Sequence, residues 1–80
     1  MSPRLPSFSA IKIIIILKKF DFKLDHVTGS HHIFYRIQDK RRVTVPFHKK
    51  DLPKGTILSI LKQAGLSKED LLNNKNRFKL

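Results

Sequence analysis

The sequence predicts an α+β domain: a three-stranded antiparallel sheet with helices packed on one face. Three observations lead there. Short stretches of alternating residues between Phe22 and Pro46 are separated by tight turns, the signature of a β-meander. Apolar residues at helical spacing stand before and after this region. Serines at the helix starts and a glycine at one helix end punctuate the chain at the expected places.

The first helix starts near Ala10, with Ser7 or Ser9 able to cap it. Ile11, Ile14, Ile15 and Lys18 follow at helical spacing, flanked by Ile13, Ile16 and Leu17. A β-branched run of this kind also suits a buried strand. The serine cap and the cations Lys18 and Lys19, at what would be a helix C-terminus, favour the helix. Phe22, Leu24 and His26 alternate with polar residues and predict the first strand. Thr28-Gly29-Ser30 forms a turn, where Gly29 can take a positive φ. His31 to Ile37 alternates again, with Ile33, Tyr35 and Ile37 on the expected apolar face and His32, Phe34 and Arg36 on the other. Gln38-Asp39-Lys40-Arg41 turns the chain into a third strand, Arg42 to Pro46.

After a polar connection, Lys54-Gly55-Thr56 leads into Ile57, Leu58, Ile60, Leu61 and Ala64, a second helix closed by Gly65. Ser67 starts a short third helix with Glu69 and Asp70 in its first turn. The expected organisation is a lead-in over residues 1–6, one domain over residues 7–73 and a frayed polar tail over residues 74–80. Helices on one side of such a sheet leave the other side for a ligand.

Composition narrows the function classes. A chain of 80 residues holds one domain. It has no cysteine, so neither disulfides nor thiolate metal sites enter. A net charge of +11, from 17 Lys and Arg against 6 acids, points to a polyanionic partner such as nucleic acid, an anionic membrane surface or an acidic protein. The apolar run Ile13 to Leu17 is bounded by Lys12 and Lys18 and falls far short of the roughly 20 residues of a spanning helix. No signal-peptide pattern is present, so a cytoplasmic location is expected.

The block Thr28-Gly29-Ser30-His31-His32-Ile33-Phe34 is similar to the glycine-serine-any-histidine signature of HicA toxins. The block Arg42-Val43-Thr44-Val45-Pro46-Phe47-His48 resembles that family's third strand and following histidine, and Leu52 to Leu66 resembles its second helix. Order and spacing agree from Ser9 to Leu72. One departure is Asp21, where the family usually has glycine; aspartate tolerates left-handed backbone better than most residues. The resemblance implies a double-stranded-RNA-binding-like α-β-β-β-α fold. It also implies a toxin that cleaves mRNA as an endoribonuclease without cofactor, and neutralisation by a cognate HicB antitoxin. His32 occupies the position of the family's catalytic histidine.

The residue chemistry is compatible with that role. RNA carries its own nucleophile, the 2′-hydroxyl, and histidine exchanges protons near neutral pH. One histidine moving a proton accelerates strand scission about 10²–10⁴-fold without metal. His48, in a loop after a proline, can approach the same site, whereas His26 and His31 read as structural. The four histidines do not follow a zinc spacing, and no metal is expected. Gly29 and Ser30 are candidates for positioning RNA. Lys40, Arg41, Arg42, Lys49, Lys50 and Lys54 are candidates for gripping its phosphates. Lys54-Gly55-Thr56 adds backbone amides at a helix start. Tyr35 shares the expected core face, and Phe34 can stack on a base. The competing reading is a non-catalytic RNA-binding module, which needs the same basic surface but not His32. A third is a basic protein with an acidic protein partner.

Overall fold

The computed structural model describes residues 7–75 of the chain. The expected lead-in over residues 1–6 and the end of the tail, residues 76–80, lie outside the described residues. The order is α1 (Ala10–Lys19), β1 (Lys23–Thr28), β2 (His31–Arg36), β3 (Arg41–Pro46), α2 (Lys54–Ala64) and α3 (Lys68–Lys75). The strands form an antiparallel sheet in the order β1-β2-β3. This is the α+β architecture expected from the sequence, consistent with a double-stranded-RNA-binding-like fold.

The helix ends follow from local chemistry. Ser9 caps α1, its Oγ accepting from the Lys12 N–H at 3.2 Å. At the other end the Phe22 N–H reaches the Leu17 carbonyl and the Asp21 N–H the Lys18 carbonyl, with Asp21 at φ 70°. Helix α2 ends the same way: Leu66 donates to Leu61 and Gly65 to Lys62, with Gly65 at φ 71°. Both are Schellman closures, and Asp21 does in one what Gly65 does in the other. Ser67 and Asp70 exchange hydrogen bonds with each other's backbone N–H, at 3.1 and 2.9 Å, and start α3 as a capping box. Helix α3 runs on to Lys75, into the stretch assigned to the tail.

The helices cover one sheet face, packing mainly on β3. Phe34, Val43 and Val45 point into that core, against Ile13, Ile16, Leu17, Ile57 and Ile60. The faces of β2 are therefore the reverse of those expected. Phe34 is buried, and its face carries His32 and Arg36 as well. Ile33 and Tyr35 are only half-buried, on the open face, and Ile37 leaves the strand and is 75% exposed. Tyr35 is thus not a core residue; the Arg42 guanidinium lies over its ring, 4.7 Å from the centroid. Phe34 is in turn unavailable for stacking on a base.

Strand β1 starts after Phe22, which is a core residue, and is exposed along its length. Its register with β2 shifts between Leu24 and His26, a β-bulge. The bulge puts Asp25 beside His26, whose Nδ1 lies 2.7 Å from Oδ2 of Asp25.

Arginines tie the far end of the β2–β3 hairpin to both helices. Arg36 donates to the Phe20 carbonyl at the end of α1 and to Ala64 at the end of α2. Arg41 donates to the Gln63 carbonyl. Asp39 binds both guanidiniums, at 2.7 Å from Arg36 and 3.1 Å from Arg41. Unpaired carbonyls at helix C-termini favour cations there. The Arg36 hydrogen bonds hold the Asp39 carboxyl down at about 2, with the charge of Arg41 adding to the effect. The guanidinium of Arg36 also lies over Phe22, 4.5 Å from the ring centroid.

Candidate active site

This tethering orients the molecule. The C-terminal ends of α1 and α2 meet Arg36 and Arg41, so their N-terminal ends point to the opposite end of the sheet. His32 is at that opposite end. It pairs with Val45, whereas Arg36 pairs with Arg41; four residues of strand separate the two places by about 13 Å. The Leu52 N–H donates to the Phe8 carbonyl at 2.8 Å, binding the entry of α2 to the entry of α1. The positive ends of two helix dipoles therefore lie at the His32 end, and their negative ends are covered by arginine.

His32 stands on the helix-covered face, not on the open face the sequence reading left for a ligand. It is half-buried. Its ring stacks on Phe47, with centroids 4.6 Å apart and planes 26° apart. Nδ1 is buried and has no hydrogen-bond partner among the described residues, so the ring is oriented by packing and Nε2 is the nitrogen left to meet a ligand. Phe47 is held there by its own N–H, which donates to the Ser30 carbonyl at 2.6 Å. That bond joins the chain after β3 to the Gly29-Ser30 turn, with Gly29 at φ 57°. Phe47 was not singled out from the sequence. Its position after a strand-ending proline gives no sign of a contact with His32, fifteen residues upstream by numbering.

A shallow cavity of about 200 Å³ lies on the Phe47 side of the stack, lined by Ser9, Ile11, Phe47, His48 and Lys49, without His32. Gly29 and Ser30 form the turn just before β2, Lys49 lines the cavity, and Lys50 and Lys54 lie on the segment that leads from there into α2. Among the described residues no side chain caps the first turn of α2, whose N-cap is Pro53, which leaves the amides around Lys54-Gly55 open to an anion.

The remaining sequence candidates lie elsewhere. Lys40, at φ 57°, is in the far hairpin turn. Arg41 is engaged with Asp39 and Gln63. Arg42 is on the open face, donating to Asp25 at 3.3 Å. His26 lowers the Asp25 carboxyl below its ordinary range through their hydrogen bond, and Arg42 contributes in the same direction. His31 is exposed, opposite Thr28 and Pro46 at the strand ends.

Among the described residues, no group of three or more His, Cys, Asp or Glu side chains could hold a metal ion, and no helix is long and apolar enough to cross a membrane. No curated protein matches the chain. Residues 11–66 match the family described as the HicA toxin of bacterial toxin–antitoxin systems. The match spans all but the first residue of α1, the whole sheet, α2 and the His32 turn, more than half of the chain, and on it the chain belongs to the HicA family of toxins.

Proposed function

We propose that this toxin is an endoribonuclease that cuts mRNA without a metal, with His32 as a general acid or base. The observation that carries the reading is the polarity of the domain. Two helix N-termini, the Gly29-Ser30 turn and Lys49, Lys50 and Lys54 gather at the end where His32 is fixed against Phe47. Positive potential at that end draws the phosphodiester backbone. Backbone amides at the start of α2 and in the turn then hold it without reading sequence. A histidine locked by packing is preorganised, so little motion is needed to meet the reacting phosphate.

Within this reading, Lys40, Arg41 and Arg42 do not grip the scissile phosphate, because the far hairpin and the open face hold them away from His32. Toxin–antitoxin membership brings an antitoxin partner, and we assign one of the HicB type that covers the His32 end. Action on mRNA sets the place of work in the cytoplasm.

The test is incubation of a defined RNA with purified protein in EDTA, beside His32→Ala. Fragments from the wild type and none from the variant, with RNA affinity retained by both, is the expected result. Binding without cleavage by the folded wild type would leave the RNA-binding module as the function.

A further inference from the structure

We infer that His48 supplies the second proton transfer of the cleavage reaction; the inference rests on the ribonuclease reading above. Scission needs two transfers. The 2′-hydroxyl oxygen bonds to phosphorus as its proton leaves to one imidazole. The P–O5′ bond breaks as the other imidazole gives a proton to O5′. A 2′,3′-cyclic phosphate and a 5′-hydroxyl end result, and exchange with water restores both rings. His32 can perform one transfer at a time, and one histidine cannot both take the first proton and already hold the second.

The geometry points to His48 for the complement. It follows Phe47 directly, the residue on which His32 stacks at 4.6 Å. Both Phe47 and His48 line the cavity on the Phe47 side of that stack, and His48 is exposed. The rest of the lining suits a phosphodiester. Lys49 is the charged side chain sharing the cavity, and Ser9 places the capped N-terminus of α1 at its edge. The Phe47–Ser30 hydrogen bond joins the backbone next to His48 to the turn that precedes His32. The other histidines do not qualify. His26 is bound to Asp25 beyond the β1 bulge, and His31 is on the open face.

The experiment compares wild type, His48→Ala, His48→Gln and His32→Ala on a single-site RNA in EDTA, across pH. A second substrate carries sulfur in place of the bridging O5′, a leaving group that needs no protonation. His48 is exposed, so its variants should melt with the wild type. The expected result is a kcat lower by about 10²–10⁴-fold with KM little changed, and a bell-shaped pH profile reduced to a single limb. The sulfur substrate should restore one of the two alanine variants and not the other, identifying the acid. Wild-type kcat in His48→Ala, or a raised KM with both pH limbs intact, would overturn the inference and leave the ribonuclease reading standing. No cleavage by the wild type would overturn both.

Discussion

His32 and Phe47 form a stacked pair with ring centroids 4.6 Å apart, made by residues from β2 and from the chain just after β3. Among the described residues Nδ1 of His32 has no hydrogen bond to orient it, so Phe47 carries that task. Phe47→Ala should therefore lower the cleavage rate by about 10–100-fold, through misplacement of the imidazole. RNA affinity should fall much less, and Phe47→Tyr should restore most of the rate. Single-turnover kinetics with a binding titration checks this; a Phe47→Ala variant that cleaves normally would show that the stack does not position His32.

The arginine tether at the opposite end governs stability. Arg36 has a side chain only 17% exposed and serves the carbonyls of Phe20 and Ala64 together with Asp39. Arg36→Ala leaves carbonyls at two helix ends without a donor and should cost about 2–3 kcal/mol. Urea denaturation measures it.

Asp39 makes the same tether sensitive to pH. Its carboxyl is held down at about 2, first by the hydrogen bond from Arg36. A group depressed on folding adds stability that is fully present above its unfolded value, about 3.9, and lost as pH falls towards the folded one. Asp39→Asn should lower Tm at neutral pH. The difference from wild type should shrink as pH drops from 4 towards 2. A difference that persists unchanged at the acidic end would remove the ion pair from the account.

The two left-handed helix closures predict opposite responses. Gly65→Ala puts a Cβ at φ 71°, 2.8 Å from Cζ of Arg41, and should destabilise by about 1–2 kcal/mol while disturbing the bond from Arg41 to Gln63. Asp21→Gly relieves the same geometry at φ 70° and should stabilise by up to about 1 kcal/mol. Paired thermal melts decide both.

Much of this fold was legible in the chain because its signals are local. The Ser9 cap, the Gly65 stop, the Ser67–Asp70 box and the left-handed Asp21 each depend on residues a few positions apart. The faces of β2 were not legible. Ile33 and Tyr35 alternate with Phe34, so both faces carry apolar side chains, and only packing against the helices selects Phe34 for the core. The bulge in β1 was hidden for a similar reason, since alternation through Leu24 and His26 looks regular until the pairing is known. The glycine-serine-any-histidine block marked His32, but Phe47 meets it through long-range pairing of β2 with β3 and a hydrogen bond to Ser30. Charge could be counted but not placed. Lys40, Arg41 and Arg42 look like Lys49, Lys50 and Lys54 in a composition, and tertiary structure sends the two sets to different places.

That separation has a consequence for salt dependence. Lys49→Ala, Lys50→Ala and Lys54→Ala should each reduce the log–log salt slope of RNA binding by about 0.7 on a single strand. Lys40→Ala should leave it unchanged. Equal effects from all four would mean that RNA contacts are spread over the whole surface.

The most direct test of the account is where RNA touches the protein. Amide chemical shifts of the wild type, titrated with a 2′-O-methyl RNA that cannot be cut, should move at Ser9 to Ile11, Gly29 to His32, Phe47 to Lys50 and Lys54 to Thr56. They should stay still at Gln38 to Arg42. Shifts concentrated at the far hairpin or on the open face, with the His32 end silent, would contradict the placement of the active site.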